Sequence, residues 1–303
     1  MDIKKNVITI TRPQGTPRAI LQISHGMCEH RRRYEEFANI LAEHGYVVVV
    51  SDHRGHGDNV ASEEDLGYFD KVKGWQKCVN DLKEITLLIK QEYPDLPVIL
   101  FGHSMGSIMA RSYIKRYDSL LNGLILCGAP CYTPAAGAGR LLAKSVMALK
   151  GDHYRSPLVD NMVQGPFAKA IPDAKTKLDW LSRNEENVQE YIEDPLCGFM
   201  FTVSAYDDMF YGIQDMHDLM RWNLKNPQLP ILFIAGEDDP VTGGKKGLQD
   251  SADTLREAGY EDIEMHVFKA LRHEILNEKE KDTVIQEVLD WLDRKIPMPE
   301  DSK

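Results

Sequence analysis

The chain predicts an α/β fold: a mostly parallel central sheet flanked by helices, with a helical insertion before the last strands. Three observations carry that expectation. Apolar runs alternate with helix-period stretches from residue 6 to residue 126, at the spacing of βαβ units. Several runs are apolar without a break, which suits strands buried on both faces of a parallel sheet. The rhythm then stops, and core-type strands return only at Pro230.

Taken in order, residues 6–10 read as a first strand and Ala19 to Ile23 as a second, with a turn at Pro13 to Pro17 between them. Arg33 to His44 show helical spacing through Tyr34, Phe37, Ile40 and Leu41, closed by Gly45. Tyr46 to Val50 form a β-branched strand, followed by the polar loop Asp52-His53-Arg54-Gly55-His56-Gly57. Lys71 to Tyr93 read as a long amphipathic helix whose apolar side carries Val72, Trp75, Val79, Leu82, Ile85, Leu88 and Ile89. Val98 to Phe101 and Leu121 to Leu126 are further buried strands. Helical character then recurs at Leu141–Leu149, Ala174–Arg183, Glu186–Ile192 and Asp207–Trp222, punctuated by glycines and prolines. The strands Pro230–Ala235 and Ile263–Phe268, with helices Gly244–Ala258 and Thr283–Lys295, complete the chain.

A length of 303 residues admits one large α/β domain with an insertion, or two domains. The return to core strands favours the insertion: a core of residues 1–130 and 227–303, with a helical cap of 131–226. The net charge of −11 argues against nucleic acid or an anionic membrane as a main partner. The first residues, Met1-Asp2-Ile3-Lys4-Lys5, lack the apolar stretch of a signal peptide. No apolar run is long enough to span a bilayer, so no stable membrane insertion is expected. Cys28, Cys78, Cys127, Cys131 and Cys197 are odd in number and scattered, a pattern that fits reduced thiols in the cytoplasm. Cys127 and Cys131 lie closest together, but no partner cluster completes a zinc site, and both read as small hydrophobes. Oligomeric state is left open.

The chemistry concentrates at Gly102-His103-Ser104-Met105-Gly106, which stands between a strand and a helix. Strand, G-x-S-x-G and helix make the context of a nucleophile elbow, with Ser104 as the nucleophile. A serine hydroxyl needs an adjacent base, and the base needs an orienting group. On such an elbow the acid and then the histidine follow on loops after later strands. His273 is the histidine in that place; His266 falls inside a strand. Glu237, Asp238 and Asp239 all follow the strand ending at Ala235. A tetrahedral intermediate also needs donors at its oxyanion. The N–H of Met105 is one, and that of Met27, behind His25-Gly26, is the other.

Together, residues 25–34, 52–57, 102–106 and 236–241 and the His273 loop resemble the monoacylglycerol lipase and lysophospholipase-like branch of the α/β-hydrolases, which is also grouped with serine aminopeptidases. Asp194 to Phe199 look like a cap segment of its bacterial members. The resemblance covers almost the whole chain and implies an α/β-hydrolase fold with the cap inserted after the sixth core strand. It implies Ser104, Asp239 and His273 as the triad; the acid stands three residues past Gly236, which selects Asp239. It also implies Met27 and Met105 as oxyanion donors. Two departures stand out. The branch usually has one more strand before the first one here. After Gly57 this chain has Asp58-Asn59 where many members have a small residue and serine.

The expected activity is hydrolysis of carboxylic esters of small lipidic substrates, such as monoacylglycerols or lysophospholipids, with no cofactor and no metal. The same triad would serve an aminopeptidase or an acyltransferase, and a ligand receptor is the non-enzymatic alternative. An aminopeptidase would want a cap carboxylate for the substrate amine, for which Glu185, Glu186, Glu190, Glu193, Asp207 and Asp208 are candidates. Phe199, Tyr206, Met209 and Phe210 form, with Phe201 and Tyr211, an aromatic cluster that either lines an acyl pocket or packs the cap onto the core. His53, Arg54 and His56 are expected to brace loops, and Arg31, Arg32 and Arg33 to be a solvated helix start.

Overall fold

The computed structural model describes residues 7–296; Met1 to Lys5, and Asn6 of the expected first strand, lie outside them. Seven strands make one sheet: β1 (Ile8–Thr11), β2 (Ala19–Ser24), β3 (Tyr46–Ser51), β4 (Val98–His103), β5 (Gly123–Cys127), β6 (Ile231–Gly236) and β7 (Ile263–Phe268). Their order is β1-β3-β2-β4-β5-β6-β7. The β1–β3 pair is antiparallel and every other neighbouring pair is parallel. This is the mostly parallel sheet that the unbroken apolar runs predict.

Residue alternation divides the core into two layers. Val47, Leu100 and Phe233 face α2 (Gly74–Glu92), α3 (Met105–Tyr117) and α8 (Gly244–Glu257). Val48, Phe101 and Ile234 face α1 (Glu35–Glu43) and α9 (Lys281–Lys295). Between β5 and β6 lie α4 (Ala135–Lys150), α5 (Pro157–Ala170), α6 (Glu185–Glu193) and α7 (Val203–His217). Helix α7 does not stand apart from the core. Its Tyr206, Met209, Ile213 and Met216 belong to the same apolar cluster as Trp75 and Ile108.

Four local expectations are corrected. Counted among the described residues, the inserted helices follow the fifth strand; the sixth-strand count includes a strand that these residues do not contain. Ala174–Arg183 is a series of turns, because the Asp179 carboxylate takes the N–H groups of Lys175 and Thr176 at 2.7 and 3.1 Å and competes with a helical ladder. Helix α5 is not among the expected helical segments, and it runs through Gly165 and Pro166. It forms because Ser156 caps it, its hydroxyl accepting from Val159 N–H at 3.4 Å, and Pro157 pre-sets the first turn. Val72 and Leu88 are exposed: the long helix begins at Gly74, and its buried stripe runs through Trp75, Val79, Leu82, Ile85 and Ile89.

Candidate active site

Strand β4 ends at His103 and α3 begins at Met105, so Ser104 occupies the whole turn between them, at φ 52° and ψ −121°. A non-glycine residue there is strained and must be held in place by its surroundings. Its N–H donates to Cys127 O at 2.9 Å, and its C=O accepts from Ser107 N–H at 2.8 Å. Both flanking glycines are sterically required. A Cβ on Gly106 would lie 2.0 Å from Ser24 O, and one on Gly102 would lie 2.6 Å from Gly106 O.

Past β6, the carboxylates diverge in environment. Asp239 is buried, whereas Asp238 is half exposed and 3.5 Å from Arg183. Asp239 Oδ1 accepts from Val241 N–H at 2.8 Å, and its Oδ2 accepts from His273 Nδ1 at 2.9 Å. A carboxylate at Nδ1 leaves Nε2 as the ring's basic nitrogen. His273 is itself buried and packs against His103 and Trp180, with ring centroids 4.8 and 5.2 Å away. His266 lies in β7 near Glu287, outside this arrangement.

Burial opposes a charge on His273, but Asp239 outweighs it, so the ring titrates above the usual histidine range. Burial, reinforced by His273, holds His103 down at about 4. The two rings are therefore not equivalent: His103 stays neutral while His273 is able to take a proton.

The loop after β2 faces the elbow. Met27 follows Gly26, whose N–H donates to Glu29 Oε1 at 2.5 Å. The Cys28 carbonyl accepts from Tyr191 Oη at 2.8 Å and from Gly198 N–H at 2.9 Å, both from the inserted segment. At the head of α3, Met105 N–H has no acceptor within its own helix, as with every first-turn amide.

Ser104, His273, Met27 and Met105 line one cavity of about 100 Å³. Much of its wall comes from the insertion: Val163, Phe167, Trp180, Leu181, Met209 and Ile213. Of the proposed substrate contacts, Met209 lines it and Phe199, Tyr206 and Phe210 do not. Their side chains are used in packing. Tyr206 donates to Asp160 at 2.5 Å, Phe210 sits over Gly139, and Phe199 packs edge-on to His56 and stacks against Phe201.

A family model described as serine aminopeptidase, S33, matches residues 15–280. The chain belongs to this family. A monoacylglycerol lipase of Mycolicibacterium smegmatis is 26% identical over 289 residues, covering 94% of this chain and 92% of its own. A monoglyceride lipase of Mus musculus is 28% identical over 295 residues, covering 94% and 86%. A thermostable carboxyl esterase of Bacillus coagulans, solved with glycerol, matches with a TM-score of 0.85 at 28% identity, over 95% of this chain and 94% of that one. The fold is that of the α/β-hydrolases.

In this S33-family chain, His53 and His56, both after β3, brace loops as expected. His53 N–H donates to His25 Nε2 at 3.0 Å, and Cys28 N–H donates to His56 Nε2 at 3.2 Å. Burial holds His53 at about 4 and His56 at about 3, so both stay neutral. Arg54 pairs with Asp81 at 2.6 Å. The arginine run is corrected in part. Arg32 is exposed, but Arg31 is turned inward to Asp52 and Asp58, and Arg33 is enclosed by Glu29 and Glu274. Cys28 lines the cavity, yet burial pushes its thiol well up, so little reactive thiolate forms.

Among the described residues, His30, Asp194 and Cys197 bring three metal-ligand types within 4.8 Å. His30 Nε2 and Asp194 Oδ2 already satisfy each other at 2.8 Å, and burial raises the Cys197 thiol away from its ligating form. Sequence reading missed Trp180, Glu29, Arg33 and Glu274. The last three had a signal: Glu29 and Arg33 stand four apart inside the 25–34 motif, and Glu274 follows the histidine directly.

Proposed function

We propose that this protein hydrolyses carboxylic esters of small lipidic substrates, monoacylglycerol-like esters first, through an acyl-enzyme on Ser104. Ser104 Oγ attacks the ester carbonyl while His273 Nε2 takes its proton. Asp239 holds the ring and offsets its charge. The oxyanion is received by the N–H groups of Met27 and Met105. Collapse breaks the C–O bond, and His273 passes the proton to the leaving alcohol. Water then repeats the sequence, releasing the acid and free Ser104.

The observation that carries this reading is one largely apolar cavity lined by both Ser104 and the Asp239-bound His273. Residues 131–226 are, in this proposal, an inserted cap that walls the cavity. At about 100 Å³ the cavity is small beside the ~300–1,000 Å³ of drug-sized sites, which favours short to medium single acyl chains. None of Glu185, Glu186, Glu190, Glu193, Asp207 or Asp208 is among the described residues lining it. The carboxylates that do line it, Glu29 and Glu274, are both paired with Arg33, which favours ester over aminoacyl substrates. No helix among the described residues is long and apolar enough to cross a membrane. With its cysteines unpaired, a cytoplasmic enzyme acting on dispersed or micellar esters fits best.

A hydrolysis panel of p-nitrophenyl esters, monoacylglycerols, lysophospholipids and aminoacyl amides tests the reading. Turnover of the first two groups is expected. Preference for the amides would favour the aminopeptidase alternative, and ester products formed with added alcohols would favour acyl transfer.

A further inference from the structure

We infer that Arg33 is a positioning residue: one largely enclosed guanidinium holds the oxyanion loop, the histidine loop and the inserted cap in register. The inference rests on the serine-esterase reading above.

The geometry is specific. Arg33 Nη1 donates to Glu29 Oε2 at 2.8 Å and to Glu274 Oε1 at 2.7 Å. Its Nη2 donates to Glu274 Oε2 at 2.8 Å and to Asn187 Oδ1 at 3.0 Å. The guanidinium carbon lies 4.9 Å from the centre of the Tyr191 ring. Each partner leads onward to the site. Glu29 accepts the N–H of Gly26, the residue before Met27. Glu274 follows His273 in the chain, and its own N–H donates to Leu181 O at 2.7 Å, on the cavity wall. Asn187 and Tyr191 belong to α6, and Tyr191 also holds the Cys28 carbonyl. Only a planar, multi-donor cation reaches all of these at once; an ammonium presents a single point charge.

Charge adds a second consequence. Two buried carboxylates, Glu29 and Glu274, stand near His273 and are opposed by Arg33 alone of these groups. The titratable groups facing His273 are Asp239 from the loop after β6, Glu274 from its own loop, Glu29 from the oxyanion loop and His103 from the end of β4. The insertion presents Trp180, which carries no charge. Removing the guanidinium leaves excess negative charge, which favours protonated His273. Neutralising Glu274 does the reverse.

The experiment compares R33Q, R33K and E274Q with wild type for kcat, KM, thermal midpoint and the pH profile of kcat/KM on one monoester. Rates are counted per serine labelled by a fluorophosphonate. The acid limb should move up in R33Q, stay near wild type in R33K and move down in E274Q. In both Arg33 variants kcat should fall about 10- to 100-fold, as misplaced catalytic groups cost, with KM within about twofold. Acid limbs that do not move, or that move together, would overturn the inference. So would an R33Q loss matched entirely by its loss of folded protein. If R33Q does not fold, E274Q decides: a downward limb supports the inference and an unmoved one overturns it. Wild type that fails to label at Ser104 would count against the esterase reading instead.

Discussion

At the residue scale, Asp239 and Asp238 are neighbours in sequence with different environments. Asp239→Asn should lower kcat by about ten-thousandfold, because an amide at that position stabilises the wrong histidine tautomer. Asp238→Asn should leave kcat within a few-fold, since that side chain faces solvent and Arg183. Steady-state rates of the two variants check this; equal losses would remove Asp239 from its role. The raised titration of His273 fixes a pH dependence as well. The base must be neutral, so kcat/KM should fall as pH drops through a value above the ordinary ~6.5 of histidine. For stability the sign is opposite. The His273–Asp239 pair stabilises the fold fully below the unfolded value and loses that contribution as pH rises through the folded one. That Ser104, His273, Met27 and Met105 would gather around one cavity was legible from the motifs, because an elbow constrains residue type locally. The choice among residues 237–239 was not legible without the resemblance, because nothing in three consecutive acids says which one the chain buries. Arg31 and Arg33 were misread for a related reason: three arginines in a row resemble a solvated face until buried carboxylates are placed around two of them.

At the element scale, the elbow depends on how closely α3 approaches β2. Gly106→Ala would put a Cβ 2.0 Å from Ser24 O and 2.6 Å from His25 O, both backbone atoms. Neither can yield without moving the strand that carries the oxyanion loop. The substitution should cost about 1–3 kcal/mol in stability and at least about a hundredfold in kcat, read by denaturant unfolding and by ester turnover. A variant with wild-type stability and rate would contradict the packing described here. The strands and core helices were legible because parallel strands and long amphipathic helices impose strong periodicities. The insertion was less so. Its segments are short and their ends are decided by individual side chains: Ser156 starts α5, and Asp179 prevents a helix over residues 174–183. The aromatic cluster likewise reads the same whether it lines a pocket or packs a helix. Packing claims Phe199, Tyr206 and Phe210, and the cavity takes Met209, with Trp180 from a stretch of turns that no periodicity marks.

At the scale of the whole molecule, the sheet sets Ser104 at the end of β4, and the loops after β6 and β7 bring Asp239 and His273 to it. The inserted helices close an apolar cavity above. Helix α7 is built into the same apolar cluster as α2 and α3, so the wall that carries Met209 and Ile213 is anchored to the core. In the proposed reading this arrangement takes a single acyl chain whose ester reaches Ser104, in preference to a three-chain lipid. The net charge of −11 belongs to the same proposal, in which the ester comes from dispersed or micellar substrate and not from an anionic bilayer. The central claim is tested most directly by kcat/KM across glycerol monoesters of increasing acyl length. A triacylglycerol and a peptide amide are measured beside them, with Ser104→Ala as the blank. Monoesters of short to medium chain should be preferred, each buried methylene contributing up to about 0.8 kcal/mol to transition-state binding. The blank should lose activity by as much as about a millionfold. A preference for the triacylglycerol or the amide, or turnover that survives in Ser104→Ala, would contradict the account.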